Sequence, residues 1–142
     1  MAGVAGETLR DARLLAKQYV VGVRIADQPK AYPYSRLSAQ PVVNDTLGGS
    51  PLVVVFDEAH GGAGIVFSRQ VQDRVLTFAL QSETESTVLL TDEETGSRWH
   101  GLTGEGLEGP LAGQRLDQIP ATDSFWFGWK DHFPNTAVWG DV

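Results

Sequence analysis

Asp57 and His60 are the two side chains whose types and spacing most directly indicate chemistry. They lie three residues apart in the stretch PLVVVFDEAHGGAGIVFSR, residues 51–69, where a short polar, glycine-rich connection separates two apolar runs. A carboxylate and an imidazole can together bind a divalent metal or act as an acid–base pair. A solvated turn is the simpler interpretation of an isolated D-x-x-H pattern. Both interpretations stay open at this point.

His100 is the residue that would complete such a site. It follows Trp99 after a second predicted hairpin. If the two hairpins are neighbours in one sheet, Asp57, His60 and His100 form a His-His-carboxylate set, which suits zinc, iron(II) or another divalent metal. The third histidine, His132, is interpreted as a C-terminal helix cap, since a cation there satisfies the last carbonyls of a helix.

Asn44 and Asp45 are further polar candidates, in the segment VVNDTLGG. Asn and Asp side chains readily bond their own backbone, so the pair is interpreted first as a turn and second as part of a site. Asp92 and Trp99 border the segment DEETGSRW, which is predicted to be a hairpin with its turn at Gly96.

The elements that must position these residues are mostly strands. Residues 52–56 are apolar without a break, which indicates a strand covered on both faces, and residues 65–67 form its return strand. The predicted core includes Val53, Val55, Phe67, Phe78 and Trp126.

Two short helices are also expected. Residues 7–19 place apolar side chains on one helical stripe. Near the other end, Thr122 or Asp123 is predicted to cap a helix that buries Phe125, Trp126 and Trp129.

These patterns together predict a mainly β, β-rich α+β protein. The expected architecture is a single compact domain of short antiparallel strands, with an N-terminal helix and a short aromatic C-terminal helix. Residues 1–19 are assigned to a helical lead-in and residues 20–142 to the β-rich domain.

Composition narrows the range of functions. The net charge of the 142-residue chain is -7, and its 11 Lys and Arg residues form no basic cluster, which argues against nucleic acid as a partner. No apolar run is long enough to predict a membrane span, and residues 1–18 show no signal peptide. The chain has no cysteine, so disulfides and thiolate chemistry are excluded. A protein partner or a small-molecule ligand remains, and the oligomeric state is not predicted.

Several phrases, taken together and in order, resemble an uncharacterised prokaryotic family called domain of unknown function 3179. They are VVGVRIADQPKAYP, VVNDTLGGSPLVV, GIVFSRQVQDRVLTF, TDEETGSRW, EGPLAGQRL and DSFWFGW followed by FPNT. The resemblance covers residues 20–140. Because members of the family are typically exported, it implies an extracytoplasmic location.

The resemblance also implies where the family's chemistry lies. Its most telling motif is a C-x-x-C in the turn after the central strand, which indicates thiol redox or soft-metal chemistry. In this chain Asp57 and His60 stand at the corresponding positions, and Gln40 and Ala121 stand where relatives often have histidine. The positions that match the family pattern are Asn44, Asp45, Asp92, Gly96, Ser97, Trp99 and residues 109–113.

Two hypotheses of function follow. In the first, the protein is a non-redox accessory, ligand-binding or subunit domain that has lost the family's C-x-x-C. In the second, Asp57, His60 and His100 bind a divalent metal and support a metal-dependent enzyme or a metal-binding protein.

Overall fold

The structure is a computed structural model that describes residues 14, 16–58, 62–84 and 87–141. Strands dominate it. In chain order the elements are β1 (Tyr19–Ile25), β2 (Gln28–Pro33), α1 (Tyr34–Leu37), β3 (Val42–Leu47), β4 (Ser50–Asp57), β5 (Ala63–Ser68), β6 (Gln70–Val71), β7 (Arg74–Val75), β8 (Phe78–Glu83), β9 (Val88–Asp92), β10 (Arg98–His100), β11 (Gly106–Glu108), β12 (Gln118–Ile119), β13 (Thr122–Phe125), α2 (Trp126–His132) and β14 (Ala137–Val138).

Within the described residues, the strands form three four-stranded sheets and one small hairpin. Sheet 1 has the order β13-β1-β2-β14, sheet 2 the order β12-β5-β4-β3, and sheet 3 the order β11-β10-β9-β8, while β6 pairs with β7. In the part of the chain that the structure describes, all strand pairings are antiparallel except that between β14 and β2. The predicted mainly β class is therefore confirmed, and the one parallel pairing is a departure from the prediction.

Strand β4 shows how the sheets are layered. Val53 and Val55 belong to the core cluster that also contains Phe78, Leu90 and Trp99 of sheet 3. The alternate residues of β4, namely Leu52, Val54 and Phe56, pack with Val21, Val23 and Tyr32 of sheet 1. Because successive side chains of a strand point to opposite faces, β4 lies between two cores. This confirms that the apolar run at residues 52–56 is covered on both sides.

Helix α2 adds an outer layer to sheet 1. Trp126 and Trp129 of the helix pack with Val20 and Ala31 in a third core cluster. The order of layers is therefore α2, sheet 1, sheet 2 and sheet 3. The five predicted core residues, Val53, Val55, Phe67, Phe78 and Trp126, are all buried.

Two local predictions about the C-terminal helix differ from the structure, and the predicted N-terminal helix is not tested. Thr122 and Asp123 lie in β13 rather than at a helix cap, and the residue that precedes α2, Phe125, makes no side-chain capping bond. Phe125 is also 38% exposed, because it stacks on Tyr19 and Phe127 at the surface and not in the core. The predicted N-terminal helix falls largely outside the described residues, and Tyr19, its predicted end, begins β1.

Among the helices of the described residues, none has the length and apolar character needed to cross a membrane.

Candidate functional site

Asp57 is the last residue of β4, and its side chain is buried. It lies opposite Ala63 of β5, and its carbonyl accepts a hydrogen bond from the Gly62 N–H at 3.0 Å. His60 is outside the described residues. The structure therefore positions the carboxylate of the predicted pair but not its imidazole.

His100 belongs to β10 in sheet 3, whereas Asp57 belongs to β4 in sheet 2. The Nδ1 atom of His100 accepts a hydrogen bond from the Leu102 N–H at 3.2 Å. The two predicted hairpins are thus parts of different sheets. In the described part of the chain, no group of three or more His, Asp or Glu side chains is arranged to hold a metal.

Asn44 connects two sheets. It lies in β3 rather than in a turn, its Nδ2 donates to the carbonyl of Phe78 at 2.8 Å, and its Oδ1 accepts from the Phe78 N–H at 2.9 Å. Phe78 begins β8 of sheet 3. The Asn44 amide thus bonds to β8 as the backbone of a neighbouring strand would. These two bonds give Asn44 a structural role.

Asp45 is the acceptor of a small polar cluster. Its carboxylate receives hydrogen bonds from Lys30 Nζ at 2.6 Å and from the Tyr32 hydroxyl at 2.7 Å. Burial alone would raise the pKa of Asp45, but the bonds from Lys30, Tyr32 and the Thr46 N–H together lower it below the ordinary value. Burial and the neighbouring Asp45 raise the pKa of Tyr32, so its hydroxyl remains a donor. The cluster ties β2 to β3.

Asp92 and Trp99 form a buried structural pair. The indole Nε1 of Trp99 donates to Asp92 Oδ2 at 2.8 Å, and the Thr95 N–H and hydroxyl donate to the same carboxylate. Trp99 is fully buried and Asp92 nearly so. These contacts close the β9–β10 turn, which was predicted at Gly96, and leave the carboxylate inside the fold.

A pocket of about 550 Å³ lies elsewhere, on the outer face of sheet 1. We call it the α2 pocket. It is lined by Gly22, Arg24, Pro120, Ala121, Thr122, Ser124, Gly128, Trp129, His132 and Phe133.

Strand alternation places the polar walls of the α2 pocket. Gly22 and Arg24 are two residues apart in β1, as Thr122 and Ser124 are in the paired strand β13, so all four share one face of the sheet. Asp123, between the two hydroxyl residues, points to the other face, where it accepts hydrogen bonds from the Tyr34 hydroxyl and the Gly64 N–H. The alternation therefore turns the hydroxyls towards the pocket and the carboxylate away from it.

Trp129 forms the apolar wall and is fixed in place. Its Nε1 donates to Thr136 Oγ1 at 2.8 Å, and its ring stacks at a tilt on Phe133 with 4.4 Å between centroids. The ring also lies directly on Gly22, where a Cβ atom would overlap it. Glycine at position 22 is what allows the helix to approach the strand this closely.

Among the described residues that line the α2 pocket, Arg24 is the one with a formal charge at pH 7. Arg24 lies over the Phe133 ring at 5.7 Å from the centroid, and His132, in the last turn of α2, is on the rim. None of the described lining residues is acidic, although the chain as a whole carries a net charge of -7.

Sequence reasoning missed this pocket. The local sequence predicts only helix caps for His132 and for Thr122, and it marks neither Arg24 nor Ser124 as a site residue. The available signal was the alternation of residues 22 and 24 and of residues 122 and 124. It could not be used, because the sequence does not show that β1 and β13, a hundred residues apart, are paired.

The fold and the pocket define a layered, β-rich protein with an open cleft between an outer helix and a sheet. A family model described as Protein of unknown function (DUF3179) matches residues 5–141, and the chain belongs to this family. The same comparisons gave no match among curated proteins and none among solved structures.

Proposed function

We propose that the protein is a non-redox ligand-binding domain and that the α2 pocket is its binding site. The pocket supports this proposal, because its volume of about 550 Å³ falls among those of small-molecule sites, roughly 300–1,000 Å³. It also combines apolar walls with a few converging polar groups, as such sites do. The absence of cysteine from the sequence supports the non-redox part, since no thiol is present to cycle.

Gly128 offers a direct test. It lines the pocket from α2, and a Cβ atom there would meet only the Ser124 hydroxyl oxygen, at 3.5 Å, which is an ordinary contact. Gly128→Leu should therefore place an apolar side chain in the pocket and obstruct it without disturbing the fold. Phe127→Leu is the matched control, since it places a leucine on the same helix at an exposed position that does not line the pocket.

The measurement is an NMR titration of 15N-labelled protein with a set of small neutral and charged aromatic fragments. We expect hits that shift the amides of Gly22, Thr122 and Gly128. These shifts should vanish in Gly128→Leu and persist in Phe127→Leu, with thermal melts confirming that both variants fold. If no fragment shifts those amides, or if Gly128→Leu leaves the shifts intact, the pocket is not the binding site.

The second hypothesis, a divalent metal held by Asp57, His60 and His100, stays a prediction. It has no support from a described cluster, and His60 lies outside the described residues. Metal analysis of protein purified without a histidine tag tests it. A stoichiometric metal that is lost in a His60→Ala, His100→Ala double variant would favour the metal site, and its absence from both proteins would count against it.

A further inference from the structure

We infer that the ligand of the α2 pocket is a small organic anion with an apolar body, such as an arylalkyl carboxylate. This inference rests on the ligand-binding function proposed above and adds the charge and chemical class of the ligand. It is carried by the placement of two basic side chains and two hydroxyls around an aromatic wall.

Arg24 is the group that would bind the anion. A guanidinium presents a planar set of donors that matches a carboxylate, and it keeps its charge at any physiological pH. Its position over the Phe133 ring holds it at the edge of the pocket, because cations are attracted to aromatic faces. His132, Thr122 and Ser124 add polar atoms around the same space.

Two local features oppose the binding of an anion, and both are weak. Asp27 pairs with Arg24 at 3.5 Å, but the Asp27 side chain is 93% exposed, and ion pairs in water contribute little. Trp129 and His132 of the last turn of α2 also line the pocket, and the carbonyl end of a helix is weakly negative. A helix end carries at most about half an elementary charge, which is less than the full charge of Arg24. Arg24 is therefore the strongest local charge at the pocket, and its sign favours an anion.

The apolar walls of the pocket indicate that the rest of the ligand is apolar. Trp129, Phe133 and Pro120 line the pocket, so a bare inorganic anion would leave their surface unused. An aromatic or aliphatic body packed there would bury apolar area beside the charged group.

Three probes of the same shape isolate the charge, namely phenylacetate, phenylacetamide and phenethylamine, which are anionic, neutral and cationic. Each is titrated into the intact protein and followed through the amides of Gly22, Thr122 and Gly128. We expect phenylacetate to bind about tenfold or more tightly than phenylacetamide, the difference of a charge-assisted hydrogen bond, and phenethylamine to bind most weakly.

Arg24→Gln should reduce the affinity for phenylacetate to that for phenylacetamide. Arg74→Gln, which removes the same charge from an exposed arginine outside the pocket, should change neither the affinity for phenylacetate nor that for phenylacetamide. If the three probes bind the pocket equally, or if Arg24→Gln has no effect, the anion inference fails and the ligand-binding proposal stands. If none of the probes, and no fragment of the wider set, shifts the pocket amides, both fail.

Discussion

At the scale of single residues, the polar side chains that the sequence marks as candidates are mostly held by the fold. Each of three such side chains is hydrogen-bonded within the fold. Asn44 bonds to the backbone of β8, Asp45 accepts from Lys30 and Tyr32, and Asp92 accepts from the indole of Trp99. Buried or partly buried polar groups are costly unless they are bonded, so each of these side chains stabilises the structure that satisfies it. These contacts account for the positions of all three side chains. A role for them in catalysis or ligand binding stays a prediction.

The bonds to Asp45 predict how stability depends on pH. The folded-state pKa of Asp45 lies below its value in the unfolded chain, about 3.9. The stabilisation is therefore complete above that unfolded value and is lost as the pH falls through the folded value. Wild-type protein should be more stable than Asp45→Asn at neutral pH, and the difference should shrink as the pH falls below about 4.

Chemical denaturation at a series of pH values measures this. Asp73→Asn, which changes an exposed carboxylate in the β6–β7 turn, is the control. Its free energy of unfolding should stay close to that of wild type at every pH. If the free energies of unfolding of wild type and Asp45→Asn differ by the same amount down to about pH 2, the Lys30–Asp45–Tyr32 cluster does not lower the pKa of Asp45.

At the scale of elements, the contact between β1 and α2 is the one that shapes the pocket. It depends on two glycines with opposite surroundings. Gly22 lies under the Trp129 ring, whereas Gly128 faces open space bounded by the Ser124 hydroxyl.

Alanine at these two glycines should therefore have opposite effects. We expect Gly22→Ala to lower the free energy of unfolding by about 1–3 kcal/mol, because the added methyl overlaps an indole that is fixed through Thr136. Gly128→Ala should be neutral or stabilising by up to about 1 kcal/mol, since alanine favours a helix over glycine. Urea denaturation of both variants measures the difference, and equal destabilisation would contradict the close approach at Gly22.

The strands and the pocket differ in how far they can be predicted from sequence. The coverage of β4 on both faces follows from five consecutive apolar residues, and the β9–β10 turn follows from Gly96 with its polar neighbours. The local sequence predicts a turn at Asn44, because its partner Phe78 is 34 residues away and cannot be inferred from neighbouring residues. The α2 pocket joins β1, β13 and α2, and no local pattern reports which distant segments meet.

At the scale of the whole molecule, the layers are joined by polar side chains as well as by core packing. Asn44 links sheet 2 to sheet 3 through the Phe78 backbone. The guanidinium of Arg69 donates to the carbonyls of Leu52, Asp45 and Leu76, and so fastens β3 and β4 to the chain just before β8. These directional bonds act together with the packing of the core to fix the relative position of the two layers.

Asn44→Ala should weaken this connection. It leaves the N–H and C=O of Phe78 without their side-chain partner, and an unsatisfied partly buried group costs about 1–3 kcal/mol. Amide hydrogen exchange should also speed up at Phe78. The chain's other asparagine, Asn135, is exposed, so Asn135→Ala is the matched control. No change in stability or exchange in Asn44→Ala would mean that core packing alone holds the two sheets together.

The pairing of sheet 1 has a consequence for the time the chain needs to fold. Val20 of β1 lies opposite Ser124 of β13, and β14 completes the sheet beside β2, so the earliest strands find their partners among residues that follow by about a hundred positions. Closing so long a loop costs chain entropy before any contact offsets it. We expect refolding in milliseconds to seconds, on the order of other proteins dominated by distant pairings, and the tryptophans of the β1–α2 core to reach their native fluorescence in the last phase of a stopped-flow experiment.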